Sequence, residues 1–352
     1  MKKKNLVKLL LVSAILLVPL FANATSTAGT LFLLIEPNSR ANGMADAYVA
    51  KADDAFSGWW NPGAMAFNRK NQIGAMHVNW FQDAGISDIF YEYLGWNNYY
   101  EGIGNLGFHV IYLTYGKMDR TDEENNDLGT FNSYEVAPTI TYATQVAEKI
   151  GVGVNFKFIL SDLAPEGTGN TEEDVKGRGM SFAFDLGIKW KDIFNLNRLD
   201  WGANIQNIGP NITYINDEQS VPLPLNCRTG LSYRPIDDSY NLFTINADMA
   251  KILANDDELV ITRLVTAWYD DPSDQEIEEI IFTTGMEYVY IDMISLRGGY
   301  FYDKGGSLTG PSFGAGLKYT FNEKYLVSFD FAMKQAGELT DYNKTFSIGL
   351  DF

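Results

Sequence analysis

The chain is poor in the residues that most soluble exported proteins and most enzymes lean on. A single cysteine, Cys227, excludes an internal disulfide framework. Only two histidines occur, His77 and His109, each inside an alternating stretch and without a cysteine or carboxylate cluster spaced to join it. They read as wall residues rather than zinc ligands or a general base, so no metal and no cofactor is expected. Gly-x-Ser-x-Gly, phosphate-cradling and dinucleotide-binding motifs are absent, and with them the usual nucleophile constellations. The expectation is therefore a protein that is not an enzyme. Basic residues are also scarce, 27 against 45 acidic, for a net charge of −18. That balance argues against nucleic acid and against electrostatic binding to anionic lipid.

Long apolar runs are missing beyond the first two dozen residues. The start, MKKKNLVKLLLVSAILLVPLFANA, has Lys2, Lys3, Lys4 and Lys8, then an apolar run, then Ala22-Asn23-Ala24. These three parts make a secretory signal peptide over 1–24, with an apolar core too short to span a bilayer as a helix.

What the chain has in quantity is alternation. In MSFAFDLGIKW, Phe182, Phe184, Leu186, Ile188 and Trp190 share one face, and Ser181, Ala183, Asp185, Gly187 and Lys189 the other. FGAGLKYTF and YLVSFDFAMK repeat the pattern, as do segments near 71–82, 88–97, 103–115, 133–144, 150–161, 199–208, 225–234, 240–250, 280–290, 293–302 and 343–352. That makes about fourteen strands of the length a tilted membrane strand needs. Short connections near Tyr99–Gly102, Val146–Lys149, Pro235–Ser239, Ile291-Asp292 and Asn322–Lys324 alternate with longer ones at Gly116–Thr130, Asp162–Gly177, Gly209–Pro224, Lys251–Glu279 and Asp303–Gly310. The Lys191–Arg198 connection is long for a turn of the short set. Tyrosine and tryptophan gather towards strand ends, including Trp80, Trp96, Tyr99, Tyr100, Trp190, Trp201, Tyr302 and Tyr319, as interfacial girdles do.

The fold class expected is all-β: a membrane-spanning antiparallel β-barrel of about 14 strands over 71–352, in the outer membrane of a Gram-negative bacterium. A charge such as Lys189 or Asp330 then points into the lumen, since the lipid face would cost ~2–4 kcal/mol at mid-bilayer. The segment around 258–268 is expected to carry a short helix in a loop folded over the barrel mouth. The acidic loop Asp119–Gly129 lacks the EF-hand spacing and reads as solvated, like the run from Thr168 to Gly179.

One stretch does not alternate. Ser39–Ala66 holds small residues, Asp53-Asp54, Trp59-Trp60 and Asn61-Pro62-Gly63. A barrel of this size leaves a lumen that wall side chains alone cannot fill. The segment 25–70 is therefore expected to plug it, with a short helix packed through its small residues and with Asp53 and Asp54 capping or pairing with inward-facing cations. A structural plug is favoured over a gate.

The pattern in this stretch resembles the N-terminal region of the PorV/PorQ family, relatives of the FadL-type outer-membrane transporters. Its parts are Arg40-Ala41-Asn42-Gly43-Met44, Ala47-Tyr48-Val49-Ala50, Asp53-Asp54-Ala55 and Trp60-Asn61-Pro62. The family continues Asn-Pro-Ala-Gly, whereas this chain has Asn61-Pro62-Gly63-Ala64. NIQNIGPNITY (Asn204–Tyr214) with PLPLNCRTGLSY, and GMEYVYIDMISLRGGYFYD (Gly285–Asp303), are further matches. The end, TFSIGLDF, with Phe346, Ile348, Leu350 and Phe352 on one face, is similar to the signal read by the barrel-assembly machinery during insertion.

The resemblance implies a FadL-like barrel acting in type IX secretion. Such a protein binds the C-terminal signal domain of secreted cargo and shuttles it from the translocon to the attachment machinery. Partners are thus cargo, secretion subunits and outer-membrane lipid, with no nucleic acid. The resemblance assigns no cargo-binding residue. The alternative is a FadL-like passive transporter of hydrophobic small molecules, which inward residues such as Ser181, Asp185, Gly314 and Lys318 make too polar for a greasy path. An outer-membrane hydrolase is a third, disfavoured reading.

Overall fold

The computed structural model describes residues 28–79, 88–121, 127–164, 177–214, 220–253, 260–269, 278–306, 308–335 and 342–352. The expected signal peptide, Trp80, and most of the acidic runs around 122–126 and 165–176 lie outside them.

Fourteen antiparallel strands close into a barrel. They are β1 (Gln72–Asn79), β2 (Phe90–Tyr100), β3 (Gly104–Thr121), β4 (Asp127–Ala147) and β5 (Ile150–Ala164). Next come β6 (Gly177–Trp190), β7 (Leu199–Ile208), β8 (Asn226–Asp237), β9 (Asn241–Ile252) and β10 (Ile281–Tyr290). The last four are β11 (Ile294–Asp303), β12 (Leu308–Phe321), β13 (Tyr325–Gln335) and β14 (Tyr342–Asp351). β1 pairs with β14 from Gln72↔Asp351 to His77↔Phe346, so the sheet has no free edge there. Closure is what hydrocarbon demands, because an unpaired backbone group finds no water in it. No described helix is long and apolar enough to cross a membrane.

The alternation sorts as lipid and lumen require. Phe182, Phe184 and Leu186 are exposed outward, while Ser181, Asp185 and Lys189 between them are buried inside. Asp330 is likewise buried on the lumen side, between the outward Phe329 and its neighbour Phe331. The C-terminus and the short connections lie at one end of the barrel, the periplasmic one in bacterial barrels, whereas Gly29, near the start of the described chain, donates to the Pro222 carbonyl in the long β7–β8 connection at the other end.

The non-alternating segment fills the lumen. It contains not one helix but three single turns, α1 (Ser39–Asn42), α2 (Ser57–Trp60) and α3 (Pro62–Met65). Its residues from Asn38 to Ala52 and from Ala55 to Ala66 are buried.

Two expectations about loops need correction. Most of Gly116–Thr130 is strand, since β3 runs to Thr121 and β4 starts at Asp127, with a bulge between Thr114 and Lys117. Strands that project beyond the bilayer meet water on both faces, so apolar alternation no longer marks them. The helix in the β9–β10 connection, α4 (Val260–Thr266), does not cover the mouth. Leu264 and Trp268 pack with Ile205, Ile208 and Cys227, which point outward, so the helix leans on the outer flank of the wall. The Lys251 ammonium lies over the Trp268 ring there, 5.5 Å from its centroid.

Candidate functional site

A chain built from single helical turns leaves most of its backbone groups without intrahelical partners. Buried in a lumen, these must be satisfied by the wall. Asn155 donates to the Gly58 carbonyl (2.8 Å), Gln206 to Trp59 (2.9 Å) and Asn204 to Trp60 (2.9 Å). Tyr91 and Tyr93 donate to the carbonyls of Ile35 and Ala55, and Lys189 to that of Lys51. From β9, Asp248 Oδ2 accepts the amides of Tyr48 (2.7 Å) and Val49 (2.8 Å). The lumen is polar because it is the plug's hydrogen-bonding partner.

Arg40 is the hub. Its Nε and Nη2 donate to the two carboxylate oxygens of Glu287 on β10, each at 2.7 Å. This is the fork geometry that makes arginine–carboxylate pairs strong and directional. Nη1 reaches Asp53 at 2.7 Å and the Tyr48 hydroxyl at 3.2 Å. Glu287 also accepts from Arg297 Nε on β11 (2.8 Å), and Arg297 Nη1 lies 2.7 Å from Asp330 on β13. One plug cation is thereby tied to three wall strands.

The other predicted plug residues fall around this hub. Asp53 pairs with Arg40 and Lys51, so its cations come from the plug, not from inward-facing wall residues as expected. Asp54 accepts from the Phe56 amide (3.0 Å), the Tyr48 hydroxyl (2.6 Å) and Asn38 (2.8 Å), and so fixes the turn just ahead of α2 rather than capping the helix itself. Gly43 and Met44 bring the backbone onto wall glycines. A Cβ on Gly285 would stand 2.3 Å from the Met44 carbonyl oxygen, and one on Gly43 would stand 3.0 Å from Gly314 Cα. Asn61 caps α3 through the Gly63 amide (2.9 Å) and donates to the carbonyls of Val49 and Ile188 (2.9 Å each). Pro62 occupies the first turn of α3, where its missing N–H is no loss. The order Gly63-Ala64 then has a reason: a Cβ at 63 would lie 2.6 Å from the Gly187 carbonyl oxygen. Phe346, Ile348 and Phe352 are exposed, the first two on the outward face of β14.

The charges are set by position. Burial works to raise Glu36, but Lys334 and Arg228 outweigh it and hold the carboxyl at about 2. Asp46 shares Lys334, and burial together with the Glu36 charge pushes it up. Partial desolvation by the surrounding plug would raise Asp53, whose side chain stays partly exposed, yet Arg40 and Lys51 hold it well below the usual carboxylate range. Burial raises the Tyr48 hydroxyl well above its ordinary value, keeping it a neutral donor. Depressed carboxylates contribute stability above their unfolded values and lose it as pH falls. Protection of the plug from protease should therefore hold from pH 7 to 5. It should fall only between about pH 4.3, the unfolded glutamate value, and about 2.

Sequence reasoning missed the wall half of this site: Glu287, Arg297, Asp248 and the glycines facing the plug. A signal existed, because Gly285, Glu287, Arg297 and Gly299 all lie in the third of the family-like stretches. On the periplasmic side a polar cavity of about 110 Å³ is lined by Arg40, Asp53, Asp54, Lys318, Asp330 and Asp351, among others.

Comparison with known proteins agrees with this geometry. The family model described as type IX secretion system protein PorV matches residues 21–258. No curated protein matches the sequence. Among solved structures, the Pseudomonas putida toluene transporter TodX is 11% identical with a TM-score of 0.51, covering 95% of this chain and 98% of that one. The Ralstonia pickettii toluene transporter TbuX (12%, TM-score 0.47, 88% and 97% covered) and a Pseudomonas aeruginosa FadL homologue (11%, 0.44, 90% and 99%) are also similar. At such identities the likeness speaks for the fold alone. On the family match over two thirds of its length, this chain, a FadL-like outer-membrane barrel, belongs to the PorV family of type IX secretion.

Proposed function

We propose that the protein is a non-enzymatic cargo carrier of type IX secretion. It binds the C-terminal signal domain of exported proteins and passes them to the surface attachment machinery. The observation that carries this reading, beside the family match, is the filled lumen: with Ser39–Ala52 and Ala55–Met65 buried inside, recognition is left to loops and outer faces. Partners are then the cargo, translocon and attachment subunits, and outer-membrane lipid. In this reading 1–24 is removed on export, 25–70 is a structural plug rather than a gate, and 71–352 is the membrane barrel. The outward Phe346, Ile348, Leu350 and Phe352 serve as the terminal signal for the barrel-assembly machinery. Passive transport of apolar molecules through the lumen is disfavoured by its lining of Lys157, Asp185, Glu287 and Arg297, all buried there.

The test is a pull-down of exported proteins carrying type IX signal domains, alongside secretion in a deletion strain. Capture of these proteins through their terminal domain, and their accumulation in the periplasm of the deletion strain, is expected. Absence of binding together with normal secretion would overturn the reading.

A further inference from the structure

The β6–β7 connection is the feature that neither the plug nor the family match accounts for. Asp192, Phe194, Asn195 and Arg198 all have positive φ there, between 46° and 68°. Such conformations are unfavourable for side chains other than glycine and persist only where packing imposes them. Here the Phe194 ring stands edge-on to Trp190 at 5.2 Å, and Ile193 is 2% exposed.

Those two residues close one end of a crevice of about 140 Å³ on the outer face of the wall. Its sides are Trp201, Leu231, Met249 and Phe282, one from each of β7 to β10, and all point away from the lumen. Its floor is low because Thr229, Gly230 and Ala247 are small. Trp201 Nε1 donates to Thr229 Oγ1 at 2.9 Å, which uses the one polar group the indole has. The result is an apolar slot opening towards acyl chains, running from the periplasmic β6–β7 connection across the wall to Met249 and Phe282 near the far ends of β9 and β10.

Apolarity alone selects nothing in a bilayer, because lipid tails are as apolar as the wall. Shape and the headgroup must supply any preference. Leu199 lines the crevice, and its neighbour Arg198 is exposed. The Arg198 guanidinium meets the backbone carbonyls of Pro235 (3.5 Å) and Asp237 (3.2 Å) rather than a carboxylate, leaving donors for an anion. A guanidinium at that height suits a phosphate diester.

We propose that this crevice is a dedicated site for one acyl chain of a periplasmic-leaflet phospholipid, whose phosphate is held by Arg198. The strained turn exists to seat Ile193 and Phe194 as the end wall of that site. Bound lipid would then outlast the ordinary annulus, which exchanges freely.

The test uses the full barrel in vesicles that include phosphatidylethanolamine with a photoactivatable acyl chain. Labelling should concentrate on peptides containing Trp201, Leu231 and Met249. Ala247→Phe, which fills the slot from the lipid side, should lower that labelling at least tenfold and leave labelling around Phe313 and Phe329 unchanged. Arg198→Glu should lower it severalfold in barrels that still migrate as folded species without heating. Thr229→Phe serves as a second filling variant should Ala247→Phe not fold. Even labelling around the wall, or crevice labelling that survives the filling variants, would overturn the site. Loss with filling but none with Arg198→Glu would overturn the phosphate contact.

Discussion

Glu287→Ala is expected to lower the unfolding free energy by about 3–5 kcal/mol, the loss found when one partner of a buried ion pair is removed. Glu287 is fully buried and accepts from both Arg40 and Arg297, so its removal leaves two guanidiniums facing each other without the carboxylate between them, with only Asp53 and Asp54 left beside Arg40 and Asp330 beside Arg297. Denaturant unfolding of the folded barrel measures this, with loss of heat-modifiable migration as a second readout. Arg40→Ala should also destabilise, and the double variant should cost less than the two singles together, because the residues form one network. Additive effects would mean that the fork between plug and wall contributes little.

The second large effect concerns space rather than charge. Gly285→Val should cost about 3 kcal/mol, the upper part of the range for overpacking, or drive the plug from its seat. Its Cβ would fall 2.3 Å from the Met44 carbonyl oxygen and 2.5 Å from Met44 Cβ, a contact with backbone that no rotamer relieves. Limited proteolysis should then cut between residues 40 and 66 in Gly285→Val and spare the parent. Gly298→Val is the control: a Cβ there meets nothing closer than 4.0 Å. Equal protection of the parent and Gly285→Val would show that the plug does not depend on this approach.

The barrel was legible because two solvents enforce its period. Lipid selects Phe182, Phe184 and Leu186 on one side, and a polar lumen selects Ser181, Asp185 and Lys189 on the other. Where one of the solvents ends, so does legibility: the outer parts of β3 and β4 read as loop because water lies on both sides of them. The plug motif was legible as a departure from alternation, and its family resemblance located Arg40, Asp53 and Asn61. Its partners were not. Glu287 lies 247 residues from Arg40 in sequence, and only closure of the sheet around the plug brings them together. The placement of α4 on the outer flank was hidden for the same reason. Its apolar side fits a barrel mouth and a barrel wall equally well until Ile205, Ile208 and Cys227 are known to face outward.

The central claim is that the lumen is held shut by a plug clamped through Arg40 and Glu287, so that the barrel works through its surfaces. Ion conductance of single barrels in planar bilayers tests it most directly. The protein should show no conducting steps at neutral pH, and Arg40→Ala barrels that remain folded should show discrete ones. Steady conductance of the unaltered protein, or a silent barrel after loss of the clamp and displacement of the plug, would contradict the account.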